Sequence, residues 1–214
     1  AYSNKQEIEE HDGAFVRNQN IILKIDKQEE VLMPTNDVRL SGKHNLNNGL
    51  ATALAARASE IKSDIIRESL RTFEGVEHRL EHVRTVNGVQ YVNDSKATNI
   101  NAVWYALDSF DVPLTLILGG RDKGNDYSEL IDQIREKVHT IIAIGEAKPM
   151  IEEQLKSVAP NFKAVNTMNE AVRSAKEGAK RGEVVLLSPA CSSFDMYDNY
   201  EHRGNEFKKS VNRL

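Results

Sequence analysis

At 214 residues the chain has room for one large domain, or for one domain plus part of another, and its 40% hydrophobic and 28% charged content is ordinary for a folded globular protein. A net charge of -4, with basic residues spread along the chain, excludes a general electrostatic attraction to nucleic acid or to an anionic membrane. The single cysteine, Cys191, excludes an internal disulfide and a cysteine-rich zinc site, and it fits a reducing compartment.

Residues 1–12 are polar and acidic, without a signal-peptide pattern, and the most apolar short run, 114–118, is far too short to span a bilayer. A cytoplasmic protein is expected. Residues 1–43 look unlike the rest of the chain. Phe15-Val16-Arg17 and Ile21-Ile22-Leu23-Lys24-Ile25 are strand candidates joined by Asn18-Gln19-Asn20, which suits a hairpin turn. Val31-Leu32-Met33 precedes Pro34, and Val38-Arg39-Leu40 ends at Ser41-Gly42. Such short pieces cannot close a core of their own, so they are expected to be the tail of a larger sheet or to dress the edge of the adjoining fold.

Two helices come next. Leu46, Leu50, Ala51, Leu54, Ala55 and Ala58 recur at helical spacing, with His44-Asn45 just before them and Asn48 in the first turn. The second runs from Ser63, as N-cap, through Ile65, Ile66, Leu70 and Phe73 to a stop at Gly75.

From Val76 the pattern becomes regular. Strands are predicted at 83–86, 89–92, 114–118, 140–144, 162–165 and 183–187, the first two linked by Asn87-Gly88 as a type I′ hairpin. Helices alternate at about 99–110, 127–138, 147–158 and 169–180, with Gly182 as the C-cap of the last. Strands as apolar as Leu114-Thr115-Leu116-Ile117-Leu118 imply burial on both faces. The prediction is an α/β, doubly wound, mostly parallel sheet with helices on both faces.

Ligands of such sheets bind beyond the carboxyl ends of the strands, and three of those junctions carry unusual residues. Asp94-Ser95-Lys96-Ala97-Thr98 offers a carboxylate for ribose hydroxyls, a cation, and a hydroxyl at a helix start. Gly119-Gly120-Arg121-Asp122-Lys123-Gly124 lets a ligand approach the backbone beside a lysine, and Ser188-Pro189-Ala190-Cys191-Ser192-Ser193 offers hydroxyls and N–H groups to a carboxylate. His78-Arg79 stands between the Gly75 breaker and the hairpin, a hinge with an arginine available for phosphate. Cys191 has no adjacent base and reads as a buried small residue. His78 and His82 lie in a linker entering a strand, so no metal pair is expected there. No complete Gly-x-x-x-x-Gly-Lys-Ser/Thr phosphate loop occurs, since Asn125-Asp126 follow Gly124.

Taken together, His44-Asn45-Leu46-Asn47-Asn48, His78-Arg79, Asn93-Asp94-Ser95-Lys96-Ala97-Thr98, Gly119-Gly120-Arg121-Asp122-Lys123, Ser188-Pro189-Ala190-Cys191-Ser192-Ser193 and Arg203-Gly204-Asn205-Glu206-Phe207 resemble the Mur ligases of peptidoglycan synthesis. Within the family the pattern is most similar to the branch that adds D-glutamate to UDP-N-acetylmuramoyl-L-alanine. The resemblance is strong over 43–214 and loose before that. It implies that 1–77 are the carboxyl-terminal part of a central ATPase domain and 78–214 a Rossmann-like ligase domain. The missing phosphate loop, the carbamylated lysine and the Mg ligands would then belong to a part of the protein outside this chain, which alone should not ligate.

The implied reaction is ATP-dependent amide formation through an acyl phosphate. Carried over by motif, Asn48 contacts adenine, Asp94 the ribose and Arg79 the phosphates, while His78 and Lys96 lie near the reacting groups. Thr98, Lys123, Ser193 and Tyr200 hold the D-glutamate carboxylates; Tyr200 stands where phenylalanine is the family residue, with its contact expected through the backbone. Arg121 departs from the acidic residue of some relatives. A monomer with small-molecule partners is implied. The alternatives are a non-catalytic module for a nucleotide or an acidic amino acid, and a sister Mur ligase or folylpolyglutamate synthetase.

Overall fold

The computed structural model describes residues 2, 3, 11–40 and 42–214. They form two compact units, Ala1–Gly75 and Val76–Leu214.

In the first unit, β1 (Tyr2–Ser3), β2 (Gly13–Arg17), β3 (Asn20–Ile25) and β4 (Gln28–Pro34) form one sheet in that order, antiparallel except for the β1–β2 pair. Asn18 and Gln19 turn the β2–β3 hairpin with φ of 50° and 60°, the type I′ geometry that matches strand twist. The sheet does not serve merely as an edge. Ala14, Ile21, Leu23, Leu32 and Met33 share a buried cluster with Leu50 and Ala53 of α1 (Lys43–Ala58) and Ile66 of α2 (Ser63–Thr72). Residues 38–40 form no strand; a 3-10 turn at Thr35–Asp37 leads into bends there, and Ser41 lies outside the described residues. Helix α1 already contains Asn45. Ser63 is not a cap: Lys62 holds that position, and the Ser63 hydroxyl donates to Glu30 instead, at 2.8 Å.

The second unit is a six-stranded sheet in the order β5-β6-β10-β7-β8-β9. It comprises β5 (Glu81–Val86), β6 (Val89–Asn93), β7 (Leu114–Gly119), β8 (Val138–Ile144), β9 (Asn161–Val165) and β10 (Val184–Leu187). Only β5 is antiparallel, joined to β6 by Asn87 and Gly88 with φ of 53° and 82°. The helices are α3 (Ile100–Asp108), α4 (Ile131–Lys137), α5 (Lys148–Leu155), α6 (Met168–Gly178) and α7 (Tyr200–Asn212). Period-two alternation splits each central strand between two cores. Leu114, Leu116, Leu118, Ile141 and Leu186 join α3, α4 and α5 on one face, while Ile117, Ile142, Val185 and Leu187 join α6 and α7 on the other. The chain runs outward from β6 to β9 and then turns back to β10, and right-handed crossovers in opposite directions place their helices on opposite faces.

Several boundaries differ from expectation: β5 and β8 begin two residues early, at Glu81 and Val138, and α5 stops at Leu155. The first turn of the 127–138 helix is 3-10, over Tyr127–Leu130, and α6 ends at Gly178 with Ala179 as its cap. Gly182, at φ 91°, instead makes the turn into β10, where its N–H bonds the Gly88 carbonyl. Helix α7 was not legible at all, because its buried face is Arg203, Gly204, Phe207, Ser210 and Val211, and three of those five residues are not apolar.

Candidate active site

Strand β10 lies between β6 and β7, so the three polar junctions emerge side by side at the carboxyl edge of the sheet. Main-chain bonds sew them together. Asp94 N–H donates to Leu187 O at 2.8 Å and Ala190 N–H to Ala97 O at 3.0 Å; on the other side, Gly119 N–H donates to Pro189 O and Arg121 N–H to Ser192 O, both at 2.9 Å. Beneath them sits Arg203 of α7, 1% exposed. Its guanidinium donates to Ser95 Oγ (3.0 Å), Ser95 O (2.8 Å) and Cys191 O (2.9 Å), with Gly119 O at 3.5 Å. Arginine suits this position because its planar fork reaches several carbonyls at once. Burial brings its pKa down to about 10, and it remains a cation at neutral pH. Gly120 (φ 143°) is required beside it, since a β-carbon there would strike Ser192 O.

Asp94 is 4% exposed. Ser188 Oγ donates to one carboxylate oxygen at 2.8 Å and Leu80 N–H to the other at 3.2 Å. Burial nevertheless dominates over Ser188, Leu80 and the Arg79 charge, and the carboxyl is pushed up to about 7. It is more enclosed than a ligand-facing carboxylate was expected to be.

Through Asp94 and its neighbours the 76–81 loop docks on this edge, and Lys96 N–H also donates to His78 O at 3.0 Å. His78 has φ 64° and is 3% exposed. Its main-chain N–H donates to Glu81 Oε2 at 2.9 Å, and its Nδ1 faces Asn93 Nδ2 at 2.9 Å. Lys208 of α7 bonds both Glu77 and Glu81. The His78 ring meets Tyr200 edge-on, with centroids 6.0 Å apart, and Lys96 Nζ lies 3.1 Å from the Tyr200 hydroxyl and 4.6 Å from the centre of its ring.

The structure thus brings His78, Lys96, Asp94 and Tyr200 to one place in the second unit. Thr98 and Ser193 are on adjoining loops, half-buried and buried respectively, and Arg79 is exposed beside His78. Lys123 is exposed, with no hydrogen-bond or ion-pair partner among the described residues. The Tyr200 carbonyl accepts from Ser95 Oγ at 2.8 Å. The buried Ser192 hydroxyl has no partner among the described residues. Asn48 belongs to the other unit, where with Asn45, Thr52, Leu70 and Phe73 it lines a mostly apolar cavity of about 610 Å³. Cys191 packs against Tyr127 and Asn125, and burial pushes its thiol up, away from nucleophilic chemistry.

Asn93, Ser188, Arg203 and Gly204 were not singled out by sequence as functional residues, although each stands inside one of the motifs that mark the family resemblance. Among the described residues Glu77, His78 and Glu81 could share a cation. Both carboxylates already bind Lys208, however, and the third donor is an imidazole, so the set does not fit the oxygen octahedron of Mg.

A family model described as Mur ligase, glutamate ligase domain, matches residues 78–191. The chain is 53% identical over 202 residues to a protein of Salinibacter ruber named UDP-N-acetylmuramoylalanine–D-glutamate ligase, and 46% identical over 204 residues to one of the same name from Chloroherpeton thalassium. Each match takes in 94% of this chain but only 44% and 43% of the relatives, so the chain spans less than half their length. A pseudomurein peptide ligase type C from Methanothermus fervidus shares the fold, with TM-score 0.63 and 18% identity over 94% of this chain and 41% of that one.

Proposed function

The chain belongs to the Mur ligase family, and from that premise we propose that it is the carboxyl-terminal part of an ATP-dependent ligase joining D-glutamate to UDP-N-acetylmuramoyl-L-alanine. The observation that carries this reading is the 53% identity, across nearly the whole chain, to a relative bearing that name. The first unit is the end of the central ATPase domain, and the second is the ligase domain. ATP phosphorylates the substrate carboxylate, the D-glutamate amine attacks the acyl phosphate, and phosphate leaves. Asn48, in its apolar cavity, takes adenine. Asp94 takes the ribose: each of its oxygens has one partner, and a carboxylate oxygen can accept two bonds. Arg79 meets the phosphates, and His78 and Lys96 face the reacting groups. Thr98, Lys123, Ser193 and Tyr200 hold D-glutamate, for which an exposed lysine together with hydroxyl donors is chemically apt. Mg is held by residues outside this chain. The protein works as a cytoplasmic monomer on small molecules.

The test is phosphate release by the full-length protein, which should require ATP, UDP-N-acetylmuramoyl-L-alanine and D-glutamate, and should fail with L-glutamate. Lys123→Ala should raise the KM for D-glutamate by about ten- to a hundredfold, the worth of hydrogen bonds to a charged group. Turnover with a different amino acid and none with D-glutamate would refute the reading. So would ligation by these 214 residues alone.

A further inference from the structure

The side-chain amide of Asn93, at the end of β6, has its orientation set twice over. Its Oδ1 accepts from the main-chain N–H of Ser95 at 3.1 Å, a group that can only donate. Its Nδ2 donates to Glu81 Oε2 at 3.0 Å, an oxygen that already accepts from the His78 N–H. Turning the amide over would set oxygen against carboxylate and N–H against N–H, so neither partner tolerates the flip. The second hydrogen of the same Nδ2 falls on His78 Nδ1, 2.9 Å away. A donor facing Nδ1 requires a lone pair there.

We infer that Asn93 is a positioning residue that fixes His78 as the neutral tautomer carrying its proton on Nε2. Charged groups surround the ring. Glu81 lies 3.9 Å from Nδ1, Glu77 lies 3.8 Å from Nε2, and the Glu201 charge is also felt, with Lys208 between Glu77 and Glu81 as the opposing cation. Protonating Nδ1 would point N–H at N–H, and the ring cannot slide off the amide because α7 closes behind it. A β-carbon at Gly204 would overlap Nδ1 and stand 2.9 Å from Cε1 and 3.1 Å from Asn93 Nδ2. Gly204 is what leaves room for the pair. The ligase reading bears on this inference only in what the Nε2–H addresses, an anionic oxygen at the reacting centre; the tautomer itself stands on geometry.

The test is 15N-detected NMR of the 214-residue chain labelled at histidine, recorded at neutral pH. His78 should show a protonated, pyrrole-like Nε2 and an unprotonated, pyridine-like Nδ1. In the Asn93→Asp, Glu81→Gln double variant an acceptor replaces the donor without facing a second carboxylate, and Nδ1 should become protonated, a change that a merely structural role would not produce. A protonated Nδ1 in the wild-type chain would overturn the inference, whether or not any variant folds. So would a folded double variant whose Nδ1 stays unprotonated. The ligase reading is decided separately by D-glutamate-dependent phosphate release from the full-length protein, so either can fail without the other.

Discussion

Gly204→Ala separates local propensity from tertiary packing. In the interior of a helix alanine is favoured over glycine by about 0.8–1 kcal/mol. Gly178, the last residue of α6, provides the reference: a β-carbon there meets nothing within 4 Å, so Gly178→Ala should stabilise by roughly 0.5 kcal/mol or slightly more. At Gly204 the same carbon collides with the His78 ring, which is pinned through its main chain to Glu81 and Lys96. Overpacking costs about 1–3 kcal/mol, and losing the Asn93–His78 bond about 1 more. Set against the propensity gain, the net is a destabilisation of about 1–3 kcal/mol. Trp104 is the sole tryptophan and lies on α3, across the sheet from α7, so urea unfolding followed by its fluorescence reads the cooperative unfolding of the second unit as a whole. The two variants should move the midpoint in opposite directions. Equal stabilisation by both, with His78 unshifted in its 15N spectrum, would refute the close approach as the reason for glycine.

Asp94→Asn should change how stability depends on pH. A carboxyl raised from 3.8 to about 7 holds its proton more tightly folded than unfolded. Its contribution is therefore fully present below about pH 4 and is lost as pH rises through about 7. The gap between variant and wild type should drift by up to about 4 kcal/mol over that window in favour of the asparagine, and a constant gap in urea titrations at pH 4.5 and 8 would contradict it. Arg203→Met leaves the carbonyls of Ser95 and Cys191 buried without a donor, at about 1–3 kcal/mol each, while relieving the burial of a charge. A net loss of roughly 2 kcal/mol is expected by the same unfolding assay, and proteolysis should open the 188–193 loop first. Gly119→Ala, at φ 122° and with Ile144 O in the way of any β-carbon, should cost more than about 3 kcal/mol and yield little folded protein on expression.

The alternation of strand and helix from Val76 onward was legible because each element satisfies its own local chemistry. Short apolar runs, the Asn87-Gly88 turn, and the cap by Asn99, whose side chain accepts from Ala102 N–H at 2.9 Å, need no distant partner. The polar strings after β6, β7 and β10 were legible as chemistry for a related reason. A run of hydrogen-bonding side chains at a strand end is not what an apolar core alone would select. Helix α7 escaped because its buried face is chosen by the loops it supports rather than by hydrophobicity: Arg203 is there for three loop carbonyls and Gly204 for an imidazole.

By itself the sequence determined the α/β class, the family, and which polar residues stand at strand ends. Only the tertiary structure decided that β10 inserts between β6 and β7, which turns three separate junctions into one edge. It also decided that Asp94 is enclosed by Ser188 and Leu80, and that His78 is oriented by an asparagine fifteen residues away and a glycine on the last helix. Strand order and the meeting of distant side chains depend on which surfaces bury one another, and no local stretch of chain carries that information.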